Sequence, residues 1–451
     1  ARLAGHMTTP APPPQSRKDR FIRTLAYRLV WLLYRRVEVY FAPGQVTAGP
    51  EVAVSNHFGG FADPLLLMSV LPRRPRIIAR DKIWKIPVVG WIMTWVGGIP
   101  VHRAVDKGRT GNDQMFASCY RALRDGDEIM IFPEGVTRDD PSIAPVKTGA
   151  ARIAMGARSD GVTGIKLTAA GIHYENKAAL RSRVSIHVGT PLDLDTEIGR
   201  IVKPGEPEDT SNHDAVRTLT ADIEGQLRRV APNFEDWTEA SALTFGSEVL
   251  LRTVQDDPGA PVPISERDRI AALLGRRPAA ARAEVVAAVG QYESDLEAVG
   301  LSDADLYQNF SAGQFLWHVV WNLLVALLLL PFAIVGVAVN WIPMVLVWLL
   351  GRLRVAPAVK ATILPMGAIL FFGIAWAITA WGANELFGLE GVGGLLLLMP
   401  IYLFAVIVLS ERLALIWKSV RTWVRQGRVG NPQERIMADR QQVVDTVTDA
   451  L

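Results

Sequence analysis

The feature that most restricts how this chain can fold lies in its last third. Residues 315–351 hold no charged side chain over 37 positions, residues 361–384 none over 24, and residues 391–410 none over 20. About 20 apolar residues suffice to cross a bilayer core, and in lipid such a run can satisfy its backbone only as a helix. Trp317, Trp321, Trp341, Trp348, Trp376, Trp381 and Trp417 fall in or beside these runs, as interfacial aromatic belts require. The first run is long for a single crossing: as one helix it spans about 55 Å against a core of about 30 Å. Pro331, Gly336, Asn340 and Pro343 offer places to turn. Basic residues follow the first run (Arg352, Arg354, Lys360) and the third (Arg412, Lys418, Arg421, Arg425, Arg428), whereas Glu385 and Glu390 follow the second. The positive-inside rule then places the first connection and the tail on the cytoplasmic side. The expectation is a transmembrane region over 313–411, a hairpin plus two helices, followed by a basic C-terminal helix over 412–451.

The rest of the chain is of a different kind. Lys and Arg number 48 against 45 Asp and Glu, a formal charge of +3 on 451 residues, too balanced for a protein that coats nucleic acid. Cys119 is the only cysteine, which excludes an internal disulfide and a cysteine-cluster metal site. Residues 1–16 read as a vector-derived scar followed by a Pro-rich leader with no core-forming content. Over 17–45 apolar Phe21, Leu25, Leu29, Leu32 and Leu33 recur at helical spacing among seven Arg and Lys residues, the pattern of an amphipathic helix at an anionic membrane surface. A surface helix packed on the next domain has the same pattern. Arginines interrupt the apolar stretch, so it does not read as a secretory signal. Over 46–235 short apolar runs (EVAVSN, RIIAR, GGIPVHR, EIMIFPEG, GIKLTAAGI, SRVSIHVGTPL) alternate with helix-like segments, predicting an α/β domain with a mixed sheet flanked by helices. Residues 236–312 are rich in Ala, Arg, Glu and Leu with Pro-containing breaks and predict a helical accessory region on the surface of that domain.

Four short blocks carry the chemistry. In residues 52–63, VAVSNHFGGFAD, a strand-like run ends at Asn56 and is followed by His57, with Asp63 six positions on. A neutral imidazole takes a proton from an alcohol near pH 7, and a carboxylate on its other nitrogen fixes the tautomer and stabilises the imidazolium. The same pair is also compatible with an ordinary turn. In residues 97–103, GGIPVHR, Arg103 follows a strand. In residues 129–141, IMIFPEGVTRDDP, a strand runs into Pro133, Glu134 and Gly135, with Arg138 close behind. Two arginines at strand exits of one sheet suit a phosphate monoester, although each alone reads equally as a loop arginine. In residues 145–154, PVKTGAARIA, Lys147 precedes a helix start, where backbone N–H groups favour an anion. Cys119 has no basic partner in sequence and does not read as a nucleophile. His102, His173 and His187 read as packing residues at or in strands.

In this order and spacing the blocks resemble the glycerophospholipid acyltransferase superfamily. The resemblance covers roughly residues 51–192. It implies that the His and Asp block opens a catalytic domain, that the Arg103 and FPEG blocks bind the acceptor phosphate, and that the fourth block lines the acyl side. Five residues separate His57 from Asp63, and Val136 is inserted after FPEG. Both features resemble the fungal glycerol-3-phosphate and dihydroxyacetone-phosphate acyltransferases, as does KTGAARIA followed by GIHYENKAALRSRVSIHVGTP. That subgroup carries Ser and His where this chain has Thr137 and Arg138. The resemblance implies a membrane-bound O-acyltransferase that moves a fatty acyl group from acyl-CoA or acyl carrier protein to the sn-1 hydroxyl of glycerol-3-phosphate in phospholipid biosynthesis. His57 and Asp63 would be catalytic, and Arg103, Glu134, Gly135, Arg138 and Lys147 would hold the acceptor. No metal or prosthetic cofactor is expected. Expected partners are glycerol-3-phosphate or lysophosphatidate, the acyl thioester and an anionic phospholipid membrane, with no nucleic acid. The catalytic domain would face the cytoplasm, at the inner membrane in a bacterial cell. Acylation of lysophosphatidate at sn-2 is the alternative within the class, and a non-catalytic lipid-binding membrane module the alternative outside it.

Overall fold

The computed structural model describes residues 16–45, 48–102, 112–137, 139–307, 312–428 and 433–451. The chain divides into two compact units: residues 1–241 with 263–276 and 357–362, and residues 242–262 with 277–356 and 363–451.

The first unit is built on an eight-stranded sheet. Its elements in chain order are α1 (Arg17–Leu33), β1 (Tyr34–Phe41), β2 (Glu51–Ser55), α2 (Ala62–Val70), β3 (Arg76–Arg80), a tight helical turn (Asp81–Lys85), α3 (Pro87–Trp95) and β4 (Ile99–Val101). They continue with α4 (Asp113–Arg124), β5 (Glu128–Ile131), α5 (Gly149–Ser159), β6 (Lys166–Tyr174), β7 (Ser182–Val188), β8 (Leu192–Asp193), α6 (Leu194–Ile201) and α7 (His213–Val230). Strand order is β1-β7-β6-β2-β5-β3-β4, with β8 on β6. β6 meets β7 and β8 antiparallel, and every other pairing is parallel. All six strand-like runs predicted over 46–235 are strands of this sheet.

Successive strand side chains point to opposite faces, and both faces are covered, which is why the central strands read as continuous apolar runs. Val52, Val54, Ile129 and Leu167 pack with Leu123, Ile153, Met155, Leu219 and Leu227 of α4, α5 and α7. Ala53, Met130, Ile172 and Ile186 pack on the other face with Val30 of α1 and Leu66 and Leu67 of α2.

The predicted helix over 17–45 is half right. α1 ends at Leu33, and Tyr34–Phe41 becomes β1, paired parallel with β7. The physical reason is the β-branched alternation of Val37 and Val39, which favours a strand once a sheet edge is on offer. α1 itself buries Ile22, Ala26, Val30 and Leu33 and leaves Phe21, Leu25 and Tyr27 exposed.

The second unit is helical. It takes in most of α8 (Trp237–Val254), α10 (Ala279–Val299), a tight turn (Asp303–Tyr307), α11 (Ala312–Arg352), most of α12 (Pro357–Phe387), α13 (Leu389–Arg428) and α14 (Gln433–Ala450), whereas α9 (Ile264–Leu274) belongs to the first unit. Residues 236–312 are therefore divided between the two units. Asp303 is buried and accepts from Tyr292 Oη at 2.7 Å and Arg440 Nε at 2.8 Å, and Arg252 Nε pairs with its other oxygen at 2.8 Å, so α14 is tied to α8 and α10. Among the described residues, three helices are long and apolar enough to cross a membrane: Leu316–Arg352, Val359–Leu386 and Leu398–Arg421.

The expected hairpin in the first of these is absent: α11 is one helix through Pro331 and Pro343. Apolar helices tolerate such residues where neighbours satisfy the freed groups. Asn340 Nδ2 donates back to the Gly336 carbonyl at 2.9 Å, and its Oδ1 accepts from Trp376 Nε1 of α12 at 2.8 Å. α11 and α13 run antiparallel, since Asn322 Oδ1 accepts from Arg412 Nη1 at 3.0 Å while Gly336 lies against the Tyr402 backbone.

Candidate active site

The parallel strands β2 and β5 end side by side, and each hands the chain to a block that carries polar side chains. Ligands of open α/β sheets bind outside the carboxyl ends of strands, so this edge is where a site is expected. Asn56 continues β2 by one residue with its side chain: Nδ2 donates to the Ile172 carbonyl at 3.0 Å and Oδ1 accepts from Ile172 N–H at 2.7 Å. His57 follows, with Phe132 of the β5 exit stacked on its ring at 4.3 Å between centroids.

His57 Nδ1 lies 2.8 Å from Asp63 Oδ2. A carboxylate only accepts, so Nδ1 carries the proton and the lone pair of Nε2 is left for an external hydroxyl. The imidazole is partly exposed and Asp63 is fully buried. Asp63 also accepts from Gly59 N–H, at 3.0 Å and 2.9 Å to its two oxygens, and from Tyr174 Oη at 2.5 Å. It stands in the first turn of α2, where the helix dipole favours a negative charge. The five intervening residues are accommodated at Gly59, where a Cβ would stand 2.3 Å from Tyr174 Oη and 2.7 Å from Asp63 Oδ1. Tyr174 in turn hydrogen-bonds Tyr34, the first residue of β1, and burial beside the Asp63 charge pushes both phenols well above their usual range. Neither tyrosine carries a sequence signal of its own.

Glu134 occupies a different place from the one the sequence suggests. It is buried, Oε1 accepts from His57 N–H and Oε2 from Ala144 N–H, each at 2.9 Å. Its carboxylate staples the His57 loop to the β5 exit and does not face outward toward an acceptor. Burial raises its pKa, and the two N–H groups oppose that rise. Gly135, with φ of +67°, turns the chain under Lys147, whose Nζ comes within 2.5 Å of where a Gly135 Cβ would stand. Lys147 N–H donates to the Pro133 carbonyl at 3.0 Å, and its side chain is exposed just before the uncapped start of α5. The structure therefore brings together His57, Asp63, Gly135 and Lys147. Arg103 and Arg138 lie outside the described residues. A further cation, Lys177, is nearly buried between Asp139 at 2.5 Å and the Phe58 ring at 5.5 Å, and no local motif marks it.

Cys119 is buried against Met115, and burial pushes its thiol up to about 12, which removes it as a nucleophile. His102 Nδ1 lies 3.0 Å from Asp81 Oδ2, at the end of β4. Among the described residues, no group of three or more His, Cys, Asp or Glu is placed to hold a metal ion.

Comparison with known proteins shows what part of the chain is similar to. Residues 36–170 match the Acyltransferase family model. Glycerol-3-phosphate O-acyltransferase 2 of Saccharomyces cerevisiae is 31% identical over 127 residues, 28% of this chain and 16% of that protein. The chloroplastic 1-acyl-sn-glycerol-3-phosphate acyltransferase BAT2 of Brassica napus is 33% identical over 105 residues, 23% of this chain and 29% of that protein. The human 1-acyl-sn-glycerol-3-phosphate acyltransferase alpha is 30% identical over 145 residues, 31% of this chain and 48% of that protein. The chain thus spans less than half the length of each of these relatives. The crystal structure of the 1-acyl-sn-glycerophosphate acyltransferase of Thermotoga maritima is similar at 18% identity with a TM-score of 0.33, over 46% of this chain and 78% of that one.

Proposed function

We infer from an acyltransferase domain at residues 36–170, one of the glycerophospholipid acyltransferase superfamily, that this protein acylates glycerol-3-phosphate at its sn-1 hydroxyl from an acyl thioester. The observation that carries this reading is the 2.8 Å contact between His57 Nδ1 and Asp63, which leaves Nε2 as a base at the edge of the sheet. His57 Nε2 takes the proton of the acceptor hydroxyl as its oxygen attacks the thioester carbonyl. The tetrahedral intermediate collapses, the C–S bond breaks, and the departing thiolate takes that proton from the imidazolium. No covalent enzyme intermediate, metal or prosthetic group is called for. Lys147, with the N–H groups that open α5, receives the acceptor phosphate, and Arg103 and Arg138 are assigned to the same anion by their places in the blocks. Acyl-CoA, acyl carrier protein and glycerol-3-phosphate are cytoplasmic, so the first unit is assigned to that face of the membrane; with α11 continuous, a crossing there puts the connection after it on the opposite face, against the positive-inside expectation.

The choice of sn-1 rests on the five-residue His57 to Asp63 spacing and Val136, with the yeast glycerol-3-phosphate relative in support. Lysophosphatidate acylation at sn-2 is the second reading, favoured by the Brassica and human relatives. Purified full-length protein given an acyl thioester with glycerol-3-phosphate, dihydroxyacetone phosphate and lysophosphatidate in parallel separates them. Highest kcat/KM on glycerol-3-phosphate with a 1-acyl product is expected. Preferred conversion of lysophosphatidate would establish the second reading instead.

A further inference from the structure

We propose that α1 and α3 form a two-helix platform seated in an anionic bilayer surface, with Trp91 reaching into the acyl layer. The sequence pattern marks α1 alone as interfacial. In the structure Phe21 of α1 is 60% exposed and Trp91 of α3 is 67% exposed, an unusual state for large aromatic side chains on a packed domain. Trp95 joins the two helices: its ring meets Phe21 edge-on at 5.9 Å and stacks with Trp91 at 6.2 Å. The exposed apolar surface therefore continues from Leu25 and Phe21 across Trp95 to Trp91 and Ile92.

This surface is held rigidly. Trp84 Nε1 donates to Thr94 Oγ1 at 3.1 Å, and α3 lies so close to the turn before it that a Cβ at Gly90 would stand 2.4 Å from the Trp84 carbonyl oxygen. The opposite side of α1 is already used, buried on α2 and the sheet.

Charge selects the occupant. Exposed Arg17, Lys18, Arg20, Arg28, Lys82 and Lys85 come from α1 and from the turn leading into α3, and Lys18 Nζ lies 5.9 Å from the Trp95 ring. The acidic residues of these segments are engaged, Asp19 with Arg74 at 2.5 Å and Asp81 with His102 at 3.0 Å. An apolar aromatic centre with a basic rim complements anionic lipid, whereas a second copy would bring like charges together.

The test places a nitroxide at Trp91→Cys in a Cys119→Ala background, with the full chain in nanodiscs of phosphatidylcholine and phosphatidylglycerol. Relaxation by oxygen should exceed relaxation by a water-soluble nickel chelate several-fold more than at Arg217→Cys, an exposed position on α7. The same label at Phe21→Cys should give the same result, and Lys82→Glu with Lys85→Glu should move the Trp91→Cys label toward water. Nickel accessibility equal to that at Arg217→Cys would overturn the proposal. So would protection from both reagents, whether with spin–spin broadening, which would mean a second copy, or without it, which would mean cover by this chain. An unchanged label depth in the double Glu variant would overturn anionic lipid as the occupant.

Discussion

Asp63 takes hydrogen bonds from His57, Gly59 and Tyr174, and these three donors leave a fully buried carboxylate satisfied and fixed in direction. Tyr174→Phe removes one of them without opening space. The expected outcome is a fall of about fivefold in kcat, equivalent to about 1 kcal/mol, with acceptor KM unchanged. A change confined to KM would show that the phenol serves binding. Lys147→Ala should do the reverse, raising KM for glycerol-3-phosphate by roughly tenfold to a hundredfold, as expected for a charge-assisted contact of about 1.5 to 3 kcal/mol. Equal KM in the two proteins would take Lys147 out of the anion site. The His57–Asp63 contact and the place of Lys147 before a helix start were legible because each lies in a short block with a local pattern. Tyr174 was not, since only the pairing of β6 with β2 and β7 brings it to a residue 111 positions earlier. Glu134 misled because a carboxylate in a turn reads as outward-facing, and nothing local tells that two backbone N–H groups draw it inward.

At the scale of elements, short apolar runs between helix-like segments revealed the strands over 46–235, and uncharged length revealed three candidate membrane helices. The boundary between α1 and β1 was hidden because Tyr34–Phe41 follows a helical pattern without a breaker and becomes a strand through its pairing with β7. Continuity of α11 was hidden for another reason: proline disrupts a helix in water, whereas apolar membrane-type helices tolerate it, and α11 runs on through Pro331 and Pro343. α11 and α13 approach closely at Gly336, where a Cβ would stand 2.4 Å from the Tyr402 carbonyl oxygen. Small residues at such crossings let apolar helices pack through dispersion. Gly336→Leu is therefore expected to destabilise the full chain in detergent by about 1 to 3 kcal/mol, read as an earlier transition on titration with dodecyl sulfate. An unchanged transition would mean that α11 and α13 do not meet there.

For the whole molecule, pH acts on a buried histidine pair on β6 and β7, next to Tyr174 in the chain. His173 and His187 stand 4.6 Å apart between ring centroids, on β6 and β7, with Tyr40 of β1 beside His187 and Asp268, Arg267 and Arg269 of α9 around them. Burial lowers the pKa of both, that of His187 from 6.5 to about 3. The unfolded chain then binds more protons than the folded one in this window, so their contribution to stability is present above about pH 6.5 and is lost as pH falls toward 3. Asp268, lowered chiefly against its own burial by Arg267, acts in the same sense at lower pH, while the raised Glu51 and Glu128 act in the opposite sense. Comparison with His187→Gln cancels these other groups: the fall in Tm between pH 7 and pH 5 should be smaller in the variant, and equal falls would contradict the assignment. Whether a base held by Asp63 drives transfer from a thioester to a glycerol phosphate hydroxyl is decided by acylation rates of purified full-length protein and its His57→Ala variant. Thioester-dependent product is expected from the native protein, with a fall of roughly 10²- to 10⁴-fold in the variant at unchanged folding. Equal product from both proteins would contradict that role for His57.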